Sequence, residues 1–172
     1  MADLNLNAVV LSKVELSSRV MTLRVAPKGW ELPEFTPGQF AVLGLPGSAP
    51  RSQWSLPEMT PSEPDKLIRR SYSITSSSKQ HEYVEFYISM TSNGSLSPRL
   101  FALNVGDPIW LGTKVSGIFT LGQVPKDKNI AMVATGTGLA PYISMLTSEL
   151  DCGASRMFAV LHGAFHSWDL GY

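Results

Sequence analysis

RRSYSITS, residues 69–76, is the stretch from which the fold can be inferred, because it gathers guanidinium, phenol and hydroxyl groups on one predicted strand. Side chains alternate along a strand, so Arg70, Tyr72 and Ile74 share one face and the hydroxyl residues share the other. Taken singly, Tyr72 would be an ordinary core or edge aromatic and Ser73 an ordinary sheet hydroxyl. Taken together, the guanidinium can bind a phosphate, the ring can lie on a planar ligand and the Ser73 hydroxyl can reach its polar edge.

Bulk composition limits the function classes only loosely. The 172 residues suffice for one ordinary domain or slightly more. Because 14 Lys and Arg balance 14 Asp and Glu, no overall charge points to nucleic acid or a membrane surface. The single Cys152 excludes an internal disulfide and a cysteine-cluster metal site. The chain start lacks the pattern of a signal peptide and no apolar run could cross a bilayer, so we expect a cytoplasmic protein.

Short segments with alternating apolar residues predict a β-rich first part, as in Met21, Leu23 and Val25. The predicted strands are two within residues 7–26 and one each at 39–45, 70–76, 83–90, 107–111 and 117–121. Residues 47–65 are rich in proline and serine and predict a long loop, either a surface insertion or a flap over a ligand. Six or so antiparallel strands with one inserted helix favour a six-stranded antiparallel Greek-key barrel, assigned to residues 1–125.

Ser97 and Pro98 predict the start of the inserted helix, with Ser97 as the N-cap and proline at the first helical position. Its buried stripe is Leu96, Leu100 and Leu103. The glycine turn before the helix offers backbone N–H groups to a pyrophosphate, although a plain capped helix has the same pattern. With Arg70 in the adjoining sheet, the two features together favour one diphosphate site.

The pattern changes after residue 125 to that of an α/β unit. Residues 129–135 form a continuous apolar strand, as expected when both faces are covered, and a second such strand spans residues 157–162. Between them lie the turn at residues 136–138 and a helix with the apolar stripe Leu139, Ile143, Leu146 and Leu150. This order predicts the first βαβ unit of a Rossmann-like nucleotide-binding domain, in residues 126–172, which we expect to be incomplete. The turn lacks the third glycine of the dinucleotide fingerprint.

His162 and His166 stand four residues apart, a spacing that can form a metal site on a helix. His162 ends a predicted strand, however, and no carboxylate is spaced to complete a ligand set. We therefore expect no bound metal. Residues 167–170 predict the start of another helix.

Three motifs in this order and spacing resemble the ferredoxin–NADP⁺ reductase family: RSYS at 70–73, GSLS at 94–97 and TGTGLAPY at 135–142. The likeness is greatest to the bacterial ferredoxin/flavodoxin reductases and covers nearly the whole chain. It implies an FAD-dependent oxidoreductase that transfers electrons between NADP(H) and ferredoxin or flavodoxin, with hydride transfer at flavin N5.

The resemblance also implies roles for the FAD-binding residues. Arg70 would bind the FAD pyrophosphate, Tyr72 would stack on the isoalloxazine ring and Ser73 would lie near flavin N5. Ser71, in the same motif, is also expected to bind the cofactor. The pyrophosphate would also be held by Gly94, Ser95, Leu96 and Ser97. The ribityl and adenine side of the flavin would be lined by Tyr87, Ile88 and Ser89.

The nucleotide side of the site is expected at the glycine turn. The resemblance implies that Thr137 stands between flavin and nicotinamide, while Gly136 and Gly138 let the NADP(H) diphosphate approach the backbone. Tyr72, Ser73 and Thr137 are therefore the expected catalytic residues.

Two features leave alternatives open. Phe165 stands three residues after His162, where similar bacterial reductases commonly have an arginine for the NADP phosphates, which weakens the choice of NADP over NAD. The reductase component of an oxygenase shares the barrel and nucleotide unit, but usually carries a cysteine-rich iron–sulfur segment, and this chain has one Cys. A third possible function, after the ferredoxin or flavodoxin reductase and the oxygenase reductase component, is a flavin-binding module without turnover.

Overall fold

The computed structural model describes residues 4–150 and 156–172, and Cys152 lies outside them. The first part of the chain is a six-stranded sheet with the order β4-β3-β6-β1-β2-β5, and every pairing in it is antiparallel. Its strands are β1 Ala8–Ser17, β2 Val20–Pro27, β3 Phe40–Pro46, β4 Leu67–Ser73, β5 Val84–Ser89 and β6 Pro108–Leu111. The predicted six-stranded antiparallel architecture is confirmed.

The sheet closes into a barrel where the chain leaves β4 and meets β5. Ile74 forms an isolated antiparallel bridge with Phe86. Beside it, the Thr75 N–H donates to the Glu85 carbonyl at 2.8 Å, and the Glu85 N–H donates to the Ser76 hydroxyl at 3.1 Å. The two edge strands of the sheet therefore meet at this point, which closes the barrel there.

Apolar side chains fill the barrel, as the alternation along β2 predicts. Met21, Leu23 and Val25 are each 0% exposed. They pack with Leu43, Leu45, Ile74, Phe86, Ile88, Leu100, Ile109 and Leu111. The inserted helix is α1, Ser97–Phe101, and the predicted stripe of Leu96, Leu100 and Leu103 is buried.

Three predictions about the elements of this part are wrong: the bounds of one strand, the existence of another and the N-cap of the helix. The strand predicted at 70–76 is β4, which begins three residues earlier and ends at Ser73; Ile74 still donates its N–H to the Gln39 carbonyl but forms its bridge with Phe86 of β5. No strand forms at 117–121: after the Ser116 bridge to Phe40, Gly117 has a φ of +126° and turns the chain away. The N-cap of α1 is Leu96 rather than Ser97, since the Ser97 hydroxyl accepts the Thr91 N–H at 3.0 Å instead of capping.

The second part of the chain is the predicted βαβ unit. It consists of β7 Ile130–Thr135, a 3-10 turn at Gly136–Leu139, α2 Ala140–Leu150 and β8 Phe158–Gly163. The strands β7 and β8 pair in parallel over their whole length, from Ile130 opposite Phe158 to Thr135 opposite Gly163. The order of strand, glycine turn, helix and parallel strand is therefore as predicted.

The burial of this unit differs from the prediction. One face of β7 is open, with Val133 67% exposed, and Leu150 of the expected helix stripe is 64% exposed. The face of α2 that is buried consists of Ala140, Pro141, Ser144, Met145 and Ser148. The reason is that α2 packs on the barrel through hydrogen bonds: Ser144 donates to the Ser76 carbonyl at 2.8 Å, and the Ser78 N–H donates to the Ser148 hydroxyl at 3.0 Å.

The last described segment returns to the barrel. Residues 167–169 form a short 3-10 turn, where the sequence predicted the start of a helix. The Ser17 hydroxyl donates to the Asp169 carboxylate at 2.7 Å, and the Tyr87 hydroxyl donates to the Asp169 carbonyl at 2.8 Å. Within residues 4–150 and 156–172, no helix is both long and apolar enough to cross a membrane.

Candidate functional site

A cavity of about 570 Å³ lies between the barrel and the start of α2. It is formed where β4, β5, the turn at residues 91–97 (the 91–97 turn) and the glycine turn after β7 meet. Its lining consists of Arg70, Ser71, Tyr72, Ser73, Tyr87, Ile88, Ser89, Thr91, Gly94, Ser95, Leu96, Ser97, Thr137, Gly138 and Ala140. This volume lies within the range of small-molecule sites, roughly 300–1,000 Å³.

The structure brings nearly all the predicted site residues together around this one cavity. Gly136 is the exception: it lines two neighbouring cavities instead. Thr91 and Ala140 also line the cavity and were not predicted: Thr91 precedes the GSLS motif, and Ala140, although part of TGTGLAPY, was assigned no role.

Arg70 and Ser95 meet at one end of the cavity. The Arg70 side chain is exposed, and its Nη2 donates to the Ser95 hydroxyl at 3.3 Å while Nη1 donates to the Arg69 carbonyl at 2.7 Å. Two elements distant in sequence, β4 and the 91–97 turn, thus place a guanidinium and a hydroxyl side by side. A guanidinium with nearby hydroxyl and backbone N–H groups is suited to a phosphate.

Tyr72 forms a side of the cavity and its ring orientation is fixed. The ring is half-buried and makes an edge contact with Phe86, at a centroid distance of 6.4 Å and an interplanar angle of 71°. Burial raises the pKa of the Tyr72 phenol to about 12, although the nearby Arg70 charge acts in the opposite direction. The side chain is therefore a neutral aromatic surface at physiological pH, with Ser73 next to it on the cavity.

The 91–97 turn is tight at Gly94. The Gly94 N–H donates to the Thr91 carbonyl at 2.8 Å, and a Cβ built on Gly94 would lie 3.0 Å from that carbonyl oxygen. The Ser97 hydroxyl accepts the Thr91 N–H, which fixes the two ends of the turn relative to each other. Glycine is therefore favoured at position 94, where a side chain would crowd the Thr91 carbonyl.

A buried charge network supports the 91–97 turn from behind, and sequence reasoning missed it. Arg99, 4% exposed, donates to Glu58 Oε1 at 2.6 Å, to the Ser95 carbonyl at 2.5 Å and to the Gly47 carbonyl at 2.6 Å. Arg51 donates to the same Glu58 oxygen at 3.2 Å and to the Gly94 carbonyl at 2.8 Å. The proline-rich loop at residues 47–65 is therefore the support of this turn.

Glu58 is the central acceptor of this network, which consists of Arg51, Glu58 and Arg99. Burial alone would raise the pKa of this carboxyl, but hydrogen bonds from Arg99 and Ser62 outweigh it and lower the pKa to about 2. The carboxylate is therefore charged at any ordinary pH. No local sequence pattern could reveal this network, because Glu58 and Arg99 are separated by 41 positions.

On the opposite side of the cavity, Thr137 and Gly138 present the glycine turn of the βαβ unit. Gly136 has a φ of +51°, which a residue with a side chain rarely adopts, and no atom lies within 4 Å of a Cβ built on Gly138. His162, at the end of β8, has Nε2 2.9 Å from the Gly136 carbonyl, to which it can donate. The turn therefore has an open backbone surface toward a ligand.

Comparison with known proteins gives a family match and two groups of relatives. Residues 8–115 match the family described as oxidoreductase FAD-binding domain. The flavodoxin/ferredoxin–NADP reductase of Escherichia coli (strain K12) is 33% identical over 138 residues, which cover 80% of this chain and 49% of that protein. The toluate 1,2-dioxygenase electron transfer component of Pseudomonas putida is 29% identical over 164 residues, 95% of this chain and 42% of that protein.

Among solved structures, a ferredoxin NADP⁺ reductase from Neisseria gonorrhoeae with bound FAD and NADP superimposes with a TM-score of 0.76. The two chains are 21% identical, and the superposition covers 95% of this chain and 59% of that one. At this identity the likeness shows a shared fold. The chain spans about half the length of the curated relatives it matches.

Proposed function

The chain belongs to the oxidoreductase FAD-binding domain family, and from this premise we propose that it transfers electrons between NADP(H) and ferredoxin or flavodoxin. The proposal divides the chain into an FAD-binding barrel, residues 1–125, and the first part of an NADP(H)-binding domain, residues 126–172. The observation that carries it is the convergence of β4, β5, the 91–97 turn and the glycine turn on one cavity. A cytoplasmic location is part of the same proposal.

The residues around the cavity fit FAD. The Arg70 guanidinium and the Ser95 hydroxyl already meet at 3.3 Å, which suits the diphosphate of the cofactor. The half-buried, neutral Tyr72 ring offers a surface against which a flat tricyclic ring can lie. The phosphate-binding end and the aromatic surface thus lie on one cavity, as binding of a flavin dinucleotide requires.

Each proposed catalytic residue has a defined task at this site. Tyr72 orients the flavin ring through stacking, and Ser73 offers a hydroxyl to the polar edge of that ring. Thr137, across the cavity, lies where a nicotinamide would have to enter, and Gly136 and Gly138 leave the backbone open to its diphosphate. FAD, when bound, would supply the redox chemistry itself, with hydride exchange on one side and single electrons on the other.

A second candidate function is the reductase component of an oxygenase. It is favoured by one observation, the alignment of the Pseudomonas putida electron transfer component over 95% of this chain. The first function is preferred because the flavodoxin/ferredoxin–NADP reductases match at higher identity, 33% against 29%.

The test is reduction of the FAD-loaded chain under anaerobic conditions. NADPH is expected to bleach the visible flavin absorption bands, and added ferredoxin or flavodoxin is expected to restore them by accepting the electrons. A yellow protein that neither NADPH nor NADH bleaches would contradict the proposal and would identify a flavin-binding module without turnover. Bleaching without transfer to either carrier would favour the oxygenase alternative.

A further inference from the structure

A second cavity, of about 170 Å³, adjoins the cavity proposed for FAD and shares Thr137 with it. It is formed by the β1–β2 turn, the end of β5, the glycine turn and the residues after β8. Its lining includes Arg19, Ser89, Gly136, Thr137, Phe165 and Asp169. Ser89 and Thr137 line both cavities, so a ligand in the second would adjoin a ligand in the first.

Arg19 supplies a guanidinium to this cavity with none of its N–H donors used by described residues. Within residues 4–150 and 156–172, its side chain makes no hydrogen bond or ion pair and stands over the Phe165 ring, 6.0 Å from the ring centroid. Five other arginines donate to a polar side chain in the described residues. The pairs are Arg24–Glu85, Arg51–Glu58, Arg70–Ser95, Arg99–Glu58 and Arg156–Glu149. Arg69 likewise stands over an aromatic ring, Trp110 at 5.5 Å, but lies outside both cavities.

The position of Arg19 is fixed by its backbone. Its N–H donates to the Ser17 hydroxyl at 3.2 Å, and its carbonyl accepts the Met90 N–H at 2.8 Å. The acid that lines the cavity, Asp169, is occupied: Ser17 donates to one of its oxygens at 2.7 Å and His166 lies 3.3 Å from the other. The Arg19 charge is near enough to Asp169 to help lower the pKa of that carboxyl, but the two side chains form no ion pair or hydrogen bond, so the guanidinium donors remain available at the cavity.

The chemistry of this cavity is that of a nucleotide-phosphate site. A guanidinium with free donors binds a phosphate in a forked geometry, the Thr137 hydroxyl can add a bond, and the open Gly136 backbone leaves room for the oxygens. Phe165, 85% exposed, presents a ring to a planar base or nicotinamide. We propose that Arg19 binds a phosphate group of the nicotinamide dinucleotide, in the cavity between the β1–β2 turn and the glycine turn. This inference rests on the proposed function, because it deepens the nucleotide side of the same site.

The experiment is equilibrium binding of NADP⁺, NAD⁺ and nicotinamide mononucleotide to the FAD-loaded chain by titration calorimetry. Arg19→Gln, Arg19→Lys and the matched control Arg69→Gln are compared with the wild type. Arg19→Gln is expected to weaken dinucleotide binding about tenfold, as for loss of one charge-assisted contact. Arg19→Lys should recover part of the loss, Arg69→Gln should bind normally, and FAD content should be unchanged in all. The wild-type affinity should fall with added salt, and that of Arg19→Gln should fall less steeply.

The outcomes separate this inference from the proposed function. Equal affinities of Arg19→Gln and wild type, or equal losses in Arg19→Gln and Arg69→Gln, overturn the role of Arg19 and leave the proposed function intact. Failure of the wild type to bind any of the three ligands overturns the inference as well. Dinucleotide binding that depends on Arg19, without flavin bleaching by NADPH or NADH, supports the inference and contradicts the proposed function. A loss confined to the dinucleotides, with mononucleotide affinity unchanged, assigns Arg19 to the phosphate on the adenosine side.

Discussion

Replacing Glu58 by Gln should destabilise the barrel by roughly 3 kcal/mol, because it removes the counter-charge of a buried arginine. Gln has nearly the same shape, so the change isolates the charge and one acceptor oxygen. Arg99 is 4% exposed and donates to Glu58 at 2.6 Å, and it would keep its bonds to the Ser95 and Gly47 carbonyls. Breaking one partner of a buried pair costs roughly 3–5 kcal/mol, and the surviving bonds place this case at the low end.

Urea unfolding of the chain measures this loss. With a slope of about 1–3 kcal/mol per M, the midpoint should fall by about 1–3 M while the slope stays constant. The matched control is Glu63→Gln, whose carboxylate pairs with Lys66 at the surface with both side chains more than half exposed. That change should cost less than about 1 kcal/mol. Equal midpoints for Glu58→Gln and Glu63→Gln would refute the argument from burial.

The same prediction has a pH dependence with a definite sign. The folded-state pKa of Glu58 is lowered from 4.5 to about 2, so its contribution is fully present above pH 4.5 and is lost as the pH falls toward 2. The stability difference between wild type and Glu58→Gln should therefore be constant near neutral pH and shrink across this acid range. A difference that persists unchanged at pH 2 would contradict the assigned charge.

Three further changes test the site and its attachment. Arg70→Ala should weaken FAD binding by roughly 10- to 100-fold, from loss of about 1.5–3 kcal/mol of charge-assisted bonding, and full flavin retention on gel filtration would contradict the phosphate role. Tyr72→Ala should shift the flavin absorption bands, whereas Tyr72→Phe should preserve them. The second change also removes the phenol, whose pKa burial raises to about 12. An unchanged Tyr72→Ala spectrum would show that the ring does not contact flavin. Ser144→Ala should cost about 1–2 kcal/mol in urea unfolding, because the buried Ser76 carbonyl loses its donor, and Thr147→Ala, bonded only within its own helix, should cost less.

The barrel and the βαβ unit could be predicted because their signals are local. Alternation over a few residues identified β2 and its buried face, and a glycine turn between apolar segments identified the parallel pair β7 and β8. The strand expected at 117–121 does not form, also for a local reason. Gly117 has a positive φ, which the amino-acid sequence does not reveal, and it ends the pairing with β3 after a single bridge.

The features that sequence reasoning missed depend on contacts between distant residues. Glu58 lies in a segment that the sequence predicts to be a surface insertion or a flap over a ligand, and only the fold brings it to Arg99 and the 91–97 turn. The helix α2 was misjudged for a related reason. Its apolar stripe predicted one buried face, but the barrel residues that it meets offer carbonyl and N–H groups, and Ser144 and Ser148 pair with them.

The closure of the barrel has a thermodynamic consequence. The seam between β4 and β5 is held by one isolated bridge at Ile74 and the bonds beside it, whereas β2 and β5 pair over six consecutive positions from Val20 to Val25. The proposed cofactor would contact β4 and β5, which lie on opposite sides of that seam. A ligand that requires both strands in place binds only the closed barrel, so opening of the seam and release of the ligand are linked equilibria. The junction of the barrel that has a single bridge is thereby the one that a bound ligand would stabilise.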